Sequence, residues 1–131
     1  MSHENVEIVR RVREAFMRGD WDTAIGAYDQ AVELDMTRMP GGDIYSGPDG
    51  VRAFFAGWMG SWDGFKVTPV ELIDGGAEVI GIQDITATGK ASGATVKMRS
   101  ADVFTVAGGK IVRHVGYPDA SEALAAASLR E

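Results

Sequence analysis

The sequence predicts an α+β domain. A strongly curved antiparallel sheet is closed by three helices from the N-terminal half into a cone with an internal pocket. Two observations carry this expectation. Residues 4–62 hold three segments whose apolar residues recur at the spacing of one helical face. Residues 65–117 then hold four consecutive strand-like runs separated by glycine-containing turns, the pattern of an antiparallel meander. Helices gathered on one side of such a sheet define the α+β class, and the hollow of a curved sheet is a usual place for a small molecule. The 131 residues suit one domain, 1–131, with one core.

The first helix spans residues 4–18, with Ile8, Val9, Val12, Ala15 and Phe16 on one stripe and Gly19 as its stop. Asp20 caps a second, short helix whose inner stripe is Trp21, Ala24, Ile25 and Tyr28. Residues 31–36 alternate, with Val32, Leu34 and Met36 on one strand face and Glu33 and Asp35 on the other. Pro40, Gly41, Gly42 and Gly47 mark residues 37–47 as a loop, with a short hairpin at Ile44-Tyr45. Pro48 suits the first position of a third helix, where its missing N–H costs nothing. Val51, Phe54, Phe55, Trp58, Met59 and Trp62 follow at helical spacing, and their aromatic load makes this helix the plug across the sheet. Strands are expected at 65–74, 78–88, 95–106 and 110–117. Gly75-Gly76 and Gly108-Gly109 sit at tight-hairpin spacing, and residues 89–93 make a longer turn. Asp119, with Glu122 three residues on, opens a tail helix with a small apolar face of Ala123, Leu124 and Ala127.

Composition excludes several functions. The net charge is −6 and no basic run occurs, so a nucleic-acid partner has no electrostatic support. There is no cysteine, hence no disulfide, thiolate metal site or cysteine nucleophile. The two histidines, His3 and His114, have no zinc-like spacing, no calcium loop occurs, and no metal or other cofactor is expected. No nucleophile-elbow motif is present. No apolar run approaches the ~20 residues of a membrane span. The polar, acidic N-terminus has no signal-peptide character. A cytoplasmic protein without membrane association is the expectation.

The residue out of pattern is Asp102. Along residues 96–106 the even positions are Val96, Met98, Ser100, Asp102, Phe104 and Val106, which places a carboxylate on an apolar strand face. A buried charge must be paired, protonated or functional. Asp102 is either an acid in an apolar pocket or a partner of Arg99, Arg113 or a backbone N–H. Asp35 is either a general base or part of a solvated strand face. Asp84, on the face of Ile80 and Ile82, either enters the cone or pairs with a basic residue across the sheet. Tyr45, Phe54 and Trp58, with Met98 and Phe104 on the face of Asp102, either wall a ligand pocket or fill the core.

Several segments carry a resemblance. They are Asn5–Arg10, Arg18-Gly19-Asp20-Trp21-Asp22, Val32–Asp35, Tyr45–Phe55, Ala91-Ser92-Gly93 and Gly109–Arg113. Together with the element order, they resemble the nuclear transport factor 2-like superfamily and, within it, the SnoaL-like polyketide cyclase family. The resemblance spans nearly the whole chain and implies the cone fold. It does not imply one activity, since the superfamily includes isomerases, cyclases, hydrolases, dehydratases and proteins without chemistry. The ketosteroid isomerases of the same superfamily use a base Asp on the first strand, with a Tyr of the first helix and a protonated Asp of a later strand as oxyanion hole. By that comparison Asp35 resembles the base and Asp102 the acid, while His114 either takes the parity that faces the cavity or is a partly exposed edge histidine. The Tyr position falls at about Val12, and the first helix carries no Tyr.

Two functions follow as expectations. One is a cofactor-free isomerase or cyclase moving a proton on a small apolar carbonyl compound, with Asp35 or His114 as base and Asp102 as the enolate-stabilising acid. The other is a non-catalytic ligand-binding or assembly domain of the same fold. In either case the resemblance, with Val103 and Ile85 expected on an exposed sheet face, implies a homodimer through the sheet.

Overall fold

The computed structural model describes residues 2–39 and 41–128, so Pro40 of the predicted loop lies outside the described residues. In order, the elements are α1 (Ser2–Met17), α2 (Trp21–Gly26), β1 (Tyr28–Asp35), β2 (Ile44–Ser46), α3 (Gly47–Gly60), β3 (Trp62–Gly75), β4 (Glu78–Gly89), β5 (Thr95–Ala107), β6 (Lys110–Tyr117) and α4 (Ala120–Ser128). The six strands form one open sheet in the order β2-β1-β6-β5-β4-β3.

The meander β3–β6 is antiparallel, as its glycine turns require. Gly108 and Gly109 both take positive φ, 59° and 79°, the left-handed backbone of a tight hairpin. The sheet as a whole is mixed, because β1 runs parallel to β6. No hairpin joins these two strands, so nothing forces them antiparallel.

Two aromatic residues assigned to helices by spacing belong to strands. Tyr28 opens β1, because Ala27 closes α2 and its carbonyl accepts the Ile111 N–H of β6. Trp62 opens β3, because Ser61 caps α3 with its N–H on Trp58 and its hydroxyl on Gly57.

The sheet has two differently covered faces. Helices α1–α3 lie on the inner face, where Val9, Val12, Ala15, Val51, Leu34, Val79 and Ile111 are buried together. The outer face carries α4, whose Ala120 and Ala123 pack on Ile80, Ala101, Val103, Val115 and Tyr117. Val103 is therefore 1% exposed within the single chain. Ile85 lies on the opposite, inner face and borders the cavity described below. The two residues that suggested an exposed sheet face are thus both covered within this chain. Asp84 pairs across the outer face with Arg99 directly opposite, through bonds of 2.8 and 3.0 Å. Among the described residues, no helix is long and apolar enough to cross a membrane.

Because Ala123 is fully buried against the outer sheet face, Ala123→Asp places an unpaired carboxylate there. It is expected to lower unfolding stability by roughly 3 kcal/mol and undock α4. Urea unfolding, with hydrogen exchange of α4 amides, checks both.

Candidate functional site

Asp102 sits at the centre of the inner face. Its direct neighbours across the sheet are glycines on both sides, Gly81 on β4 and Gly116 on β6. The space beside Gly116 is taken by Met36, whose Sδ would lie 2.5 Å from a Cβ built there. With no side chain directly opposite, Asp102 is met diagonally. His114 reaches it from β6 through Nε2 at 2.8 Å from Oδ1, and Gln83 reaches it from β4 through Nε2 at 2.9 Å from Oδ2.

These contacts extend into a chain. The Tyr28 hydroxyl lies 2.9 Å from His114 Nδ1. Gln83 Nε2 also donates to Ser100 Oγ at 2.9 Å, and Gln83 Oε1 accepts from Arg13 Nη2 at 3.3 Å. The proton positions follow from this network. A guanidinium only donates, so the Gln83 carbonyl faces Arg13 and its NH2 faces Asp102. Tyr28 is buried, and we assign its hydroxyl as the donor to His114 Nδ1, the arrangement in which the neighbouring carboxylate receives a proton from the imidazole. The His114 proton then lies on Nε2 and points at Asp102. In this assignment the Tyr28–His114 and Arg13–Gln83 donors both lead to one carboxylate, and the second Gln83 N–H goes to Ser100. Burial, reinforced by the Asp102 charge, pushes the Tyr28 phenol well above its ordinary value, so it stays a neutral donor.

His114 is 3% exposed and both ring nitrogens are engaged. Its ring packs on Phe104 at 4.2 Å between centroids, with Tyr28 stacked at 5.9 Å. Asp102 keeps 21% of its side chain accessible. It is thus the most accessible member of the Tyr28–His114–Asp102 chain.

Asp102 borders a cavity of about 390 Å³ between α1, α3 and the inner sheet face. Tyr28, Arg13, Gln83, Ser100, Asp102 and His114 are its polar lining, with Lys66 on β3. The rest is apolar. Phe16, Trp21, Phe54, Phe55, Trp58 and Phe104 supply rings, and Met17, Met36, Met39 and Met59 supply thioethers. The helix α3 shows how the sequence makes this wall. Of its stripe only Val51 is fully buried, while Phe54, Phe55 and Trp58 remain half-buried because they border the cavity instead of the core.

Most of the sequence-selected residues meet here. Asp102, His114, Phe54, Trp58 and Phe104 border one cavity. Tyr45 stands behind the wall, its ring 5.2 Å from Phe54. Met98 shares the face of Asp102 but lies outside the lining, opposite Ile85 on β4. Asp35 is not in the cavity. Its register partner is Val115, on the outer face, whereas the adjacent Leu34 pairs with His114 on the inner face. Asp35 accepts the Thr37 hydroxyl at 2.6 Å and its N–H at 3.0 Å, with Arg113 and Arg38 at 3.7 and 3.8 Å. These contacts, the Thr37 hydroxyl first, hold its carboxyl below the usual range. Glu33, on the same strand face, is paired with Arg113. The two arginines considered for Asp102 are therefore occupied elsewhere, Arg99 by Asp84 and Arg113 by Glu33 and Asp35.

Sequence reasoning missed Arg13, Gln83, Ser100 and Tyr28. Ser100 and Gln83 were within reach of a strand-parity argument, since Ser100 shares the face of Asp102. Arg13 was not, because a charged residue beside a helix stripe normally turns to solvent.

The architecture is that of a known class. The family model described as the SnoaL-like domain matches residues 9–114, and the chain belongs to that family. No curated protein matches the sequence. Among solved structures, an NTF2-like protein from Burkholderia thailandensis E264 is 28% identical. It superposes with a TM-score of 0.81, over 92% of this chain and 95% of that one. TerC, co-crystallised with polyporic acid, is 20% identical with a TM-score of 0.78, over 95% and 98%. A protein of ketosteroid isomerase-like fold from Catenulispora acidiphila DSM 44928, in complex with trimethylamine, is 16% identical with a TM-score of 0.73, over 93% and 92%. Two such unlike ligands in one fold show that the fold does not choose the ligand.

Tyr28→Phe removes the donor to His114 Nδ1 and leaves a buried acceptor unpaired. Urea unfolding at neutral pH is expected to show a loss of about 1–3 kcal/mol. The phenol's folded value lies above its unfolded one. Its contribution is therefore intact below pH ~10 and lost as pH rises beyond. Tyr28→Phe should lack that part of the alkaline decline.

Proposed function

We propose that this protein holds a small, largely apolar carbonyl compound and moves a proton on it without a cofactor, as an isomerase or cyclase. The observation that carries this reading is the position of Asp102, a carboxylate at the end of a buried donor chain that opens into an aromatic cavity. The base in this reading is Asp102. Asp35 is on the other face, and His114 has no free nitrogen, so Asp102 is the group that meets the ligand.

Each Asp102 oxygen accepts one hydrogen bond and retains a second lone pair. One of them takes a proton from the carbon beside the ligand carbonyl, leaving an enolate. Returning that proton to a different carbon isomerises the compound. Attack of the enolate carbon on a second carbonyl of the same molecule forms a C–C bond and an alkoxide, which the Asp102 proton then neutralises. His114 and Gln83 hold the carboxylate in place through both events. The half-buried rings of Phe54, Phe55 and Trp58 exclude water from the enolate.

A second reading is ligand binding without turnover. Both Asp102 oxygens already accept a hydrogen bond in the resting protein, an arrangement that also serves structure alone. One experiment separates the two. The probe is 2-tetralone, an apolar bicyclic ketone with acidic protons beside its carbonyl. Its deuterium incorporation in D2O, followed by NMR, is expected to accelerate with the protein. Asp102→Asn should slow it by about 10²-fold or more while the probe still raises the unfolding temperature. Thermal stabilisation with exchange at the buffer rate would leave binding alone.

A further inference from the structure

Arg13 is placed where a helix-borne arginine is not usually found. Long charged side chains on a helix normally carry their heads to water. The Arg13 side chain instead turns inward and is half-buried in the cavity lining beside Val12 and Phe16. Among the described residues it has no ion pair, and its hydrogen-bond partner is a neutral amide, Gln83, at 3.3 Å. Desolvation lowers its affinity for a proton and the nearby Asp102 charge restores part of it, but a guanidinium stays cationic. It therefore stands in an apolar wall with most of its five N–H donors uncommitted.

The sheet makes room for it. A Cβ on Gly81 would lie 2.5 Å from Arg13 Nη2 and 3.6 Å from its Cζ, with Leu72 at 3.4 Å. Gly81 takes ordinary negative φ, so its backbone does not call for glycine. The close approach of the guanidinium does. Gly81 is also the register partner of Asp102. One glycine thus seats a cation beside the strand position that carries the carboxylate, with Gln83 bonded to both and holding them apart.

We infer that Arg13, seated against Gly81, is the anchor for a negatively charged ligand oxygen, and that the ligand class is an aryl or alkenyl carbonyl compound carrying that charge. The inference rests on the cavity reading above and adds the ligand's charge to it. Asp102 faces the ligand's acidic C–H or O–H, and Arg13 takes the oxygen on which negative charge sits. That oxygen is either a carboxylate the ligand brings or the enolate formed at the site. The Phe54, Phe55 and Trp58 rings take the apolar body. A fully neutral hydrocarbon would leave a desolvated guanidinium without a partner, which costs affinity.

The test is calorimetric titration of the full chain with three probes. These are 2-naphthoate, its neutral methyl ester, and 1-phenyl-1,3-butanedione titrated below and above its own ionisation. The naphthoate is expected to bind about tenfold tighter than the ester. Tighter binding of the ionised diketone assigns the anchor to an enolate as well as to a carboxylate. A preference confined to the naphthoate assigns it to the carboxylate alone. Arg13→Met should erase the naphthoate preference. Gly81→Ala should reduce it several-fold with the unfolding temperature nearly kept, since the long arginine can move aside. Asp102→Asn should tighten naphthoate binding by removing a like charge. Ester and naphthoate binding alike, or a preference that survives Arg13→Met, overturns the anchor and leaves the cavity reading standing. Binding of none of the probes overturns both.

Discussion

The inner face of this sheet is organised by the need to satisfy one carboxylate in apolar surroundings. An unpaired Asp102 on that face would cost more than the domain could spare. Its neighbours answer that cost in a particular way. Glycines stand directly opposite on both adjacent strands, and the donors come diagonally from His114 and Gln83. Those donors are oriented in turn by Tyr28 and Arg13. Four side chains from α1, β1, β4 and β6 are thereby ordered around one carboxylate on β5.

The same arrangement explains why the cavity is where it is. Glycine at two central positions of the inner face removes side-chain volume from the sheet floor. Met36 fills one of these gaps and Arg13 the other. Helix α3 then lies over the floor, and its Phe54, Phe55 and Trp58 rings stay half-buried along the cavity. Membership of the SnoaL-like family accounts for the frame. The cavity's polarity comes from this chain's own residues.

Much of this was legible in the residues. Stripes at helical spacing located α1–α3, and glycine pairs located two of the hairpins. Strand parity alone singled out Asp102, whose position on an apolar face is the local conflict that marks a site. His114 was found through parity combined with the family resemblance. Asp35 was misplaced by the same comparison, although the apolar Val32 and Leu34 on the other face of β1 already pointed it outward. The remaining differences are tertiary. The parallel pairing of β1 with β6 depends on where a long connection returns the chain. Tyr28 and Trp62 fit a helical period but were claimed by strands through backbone pairing. Arg13 carries no local signal, because its role arises only when α1 lies across β4. Val103 suggested a second copy of the chain because the docking site of α4 is not written in a short alanine-rich helix.

The central claim is that the Tyr28 and His114 protons of the buried chain point toward Asp102. The most direct measurement is the 15N NMR of the His114 ring near neutral pH in the ligand-free protein. The account requires a protonated, pyrrole-like Nε2 and an unprotonated, pyridine-like Nδ1 accepting from Tyr28. A protonated Nδ1 with a bare Nε2 would put the proton on Asp102 instead, and would contradict it.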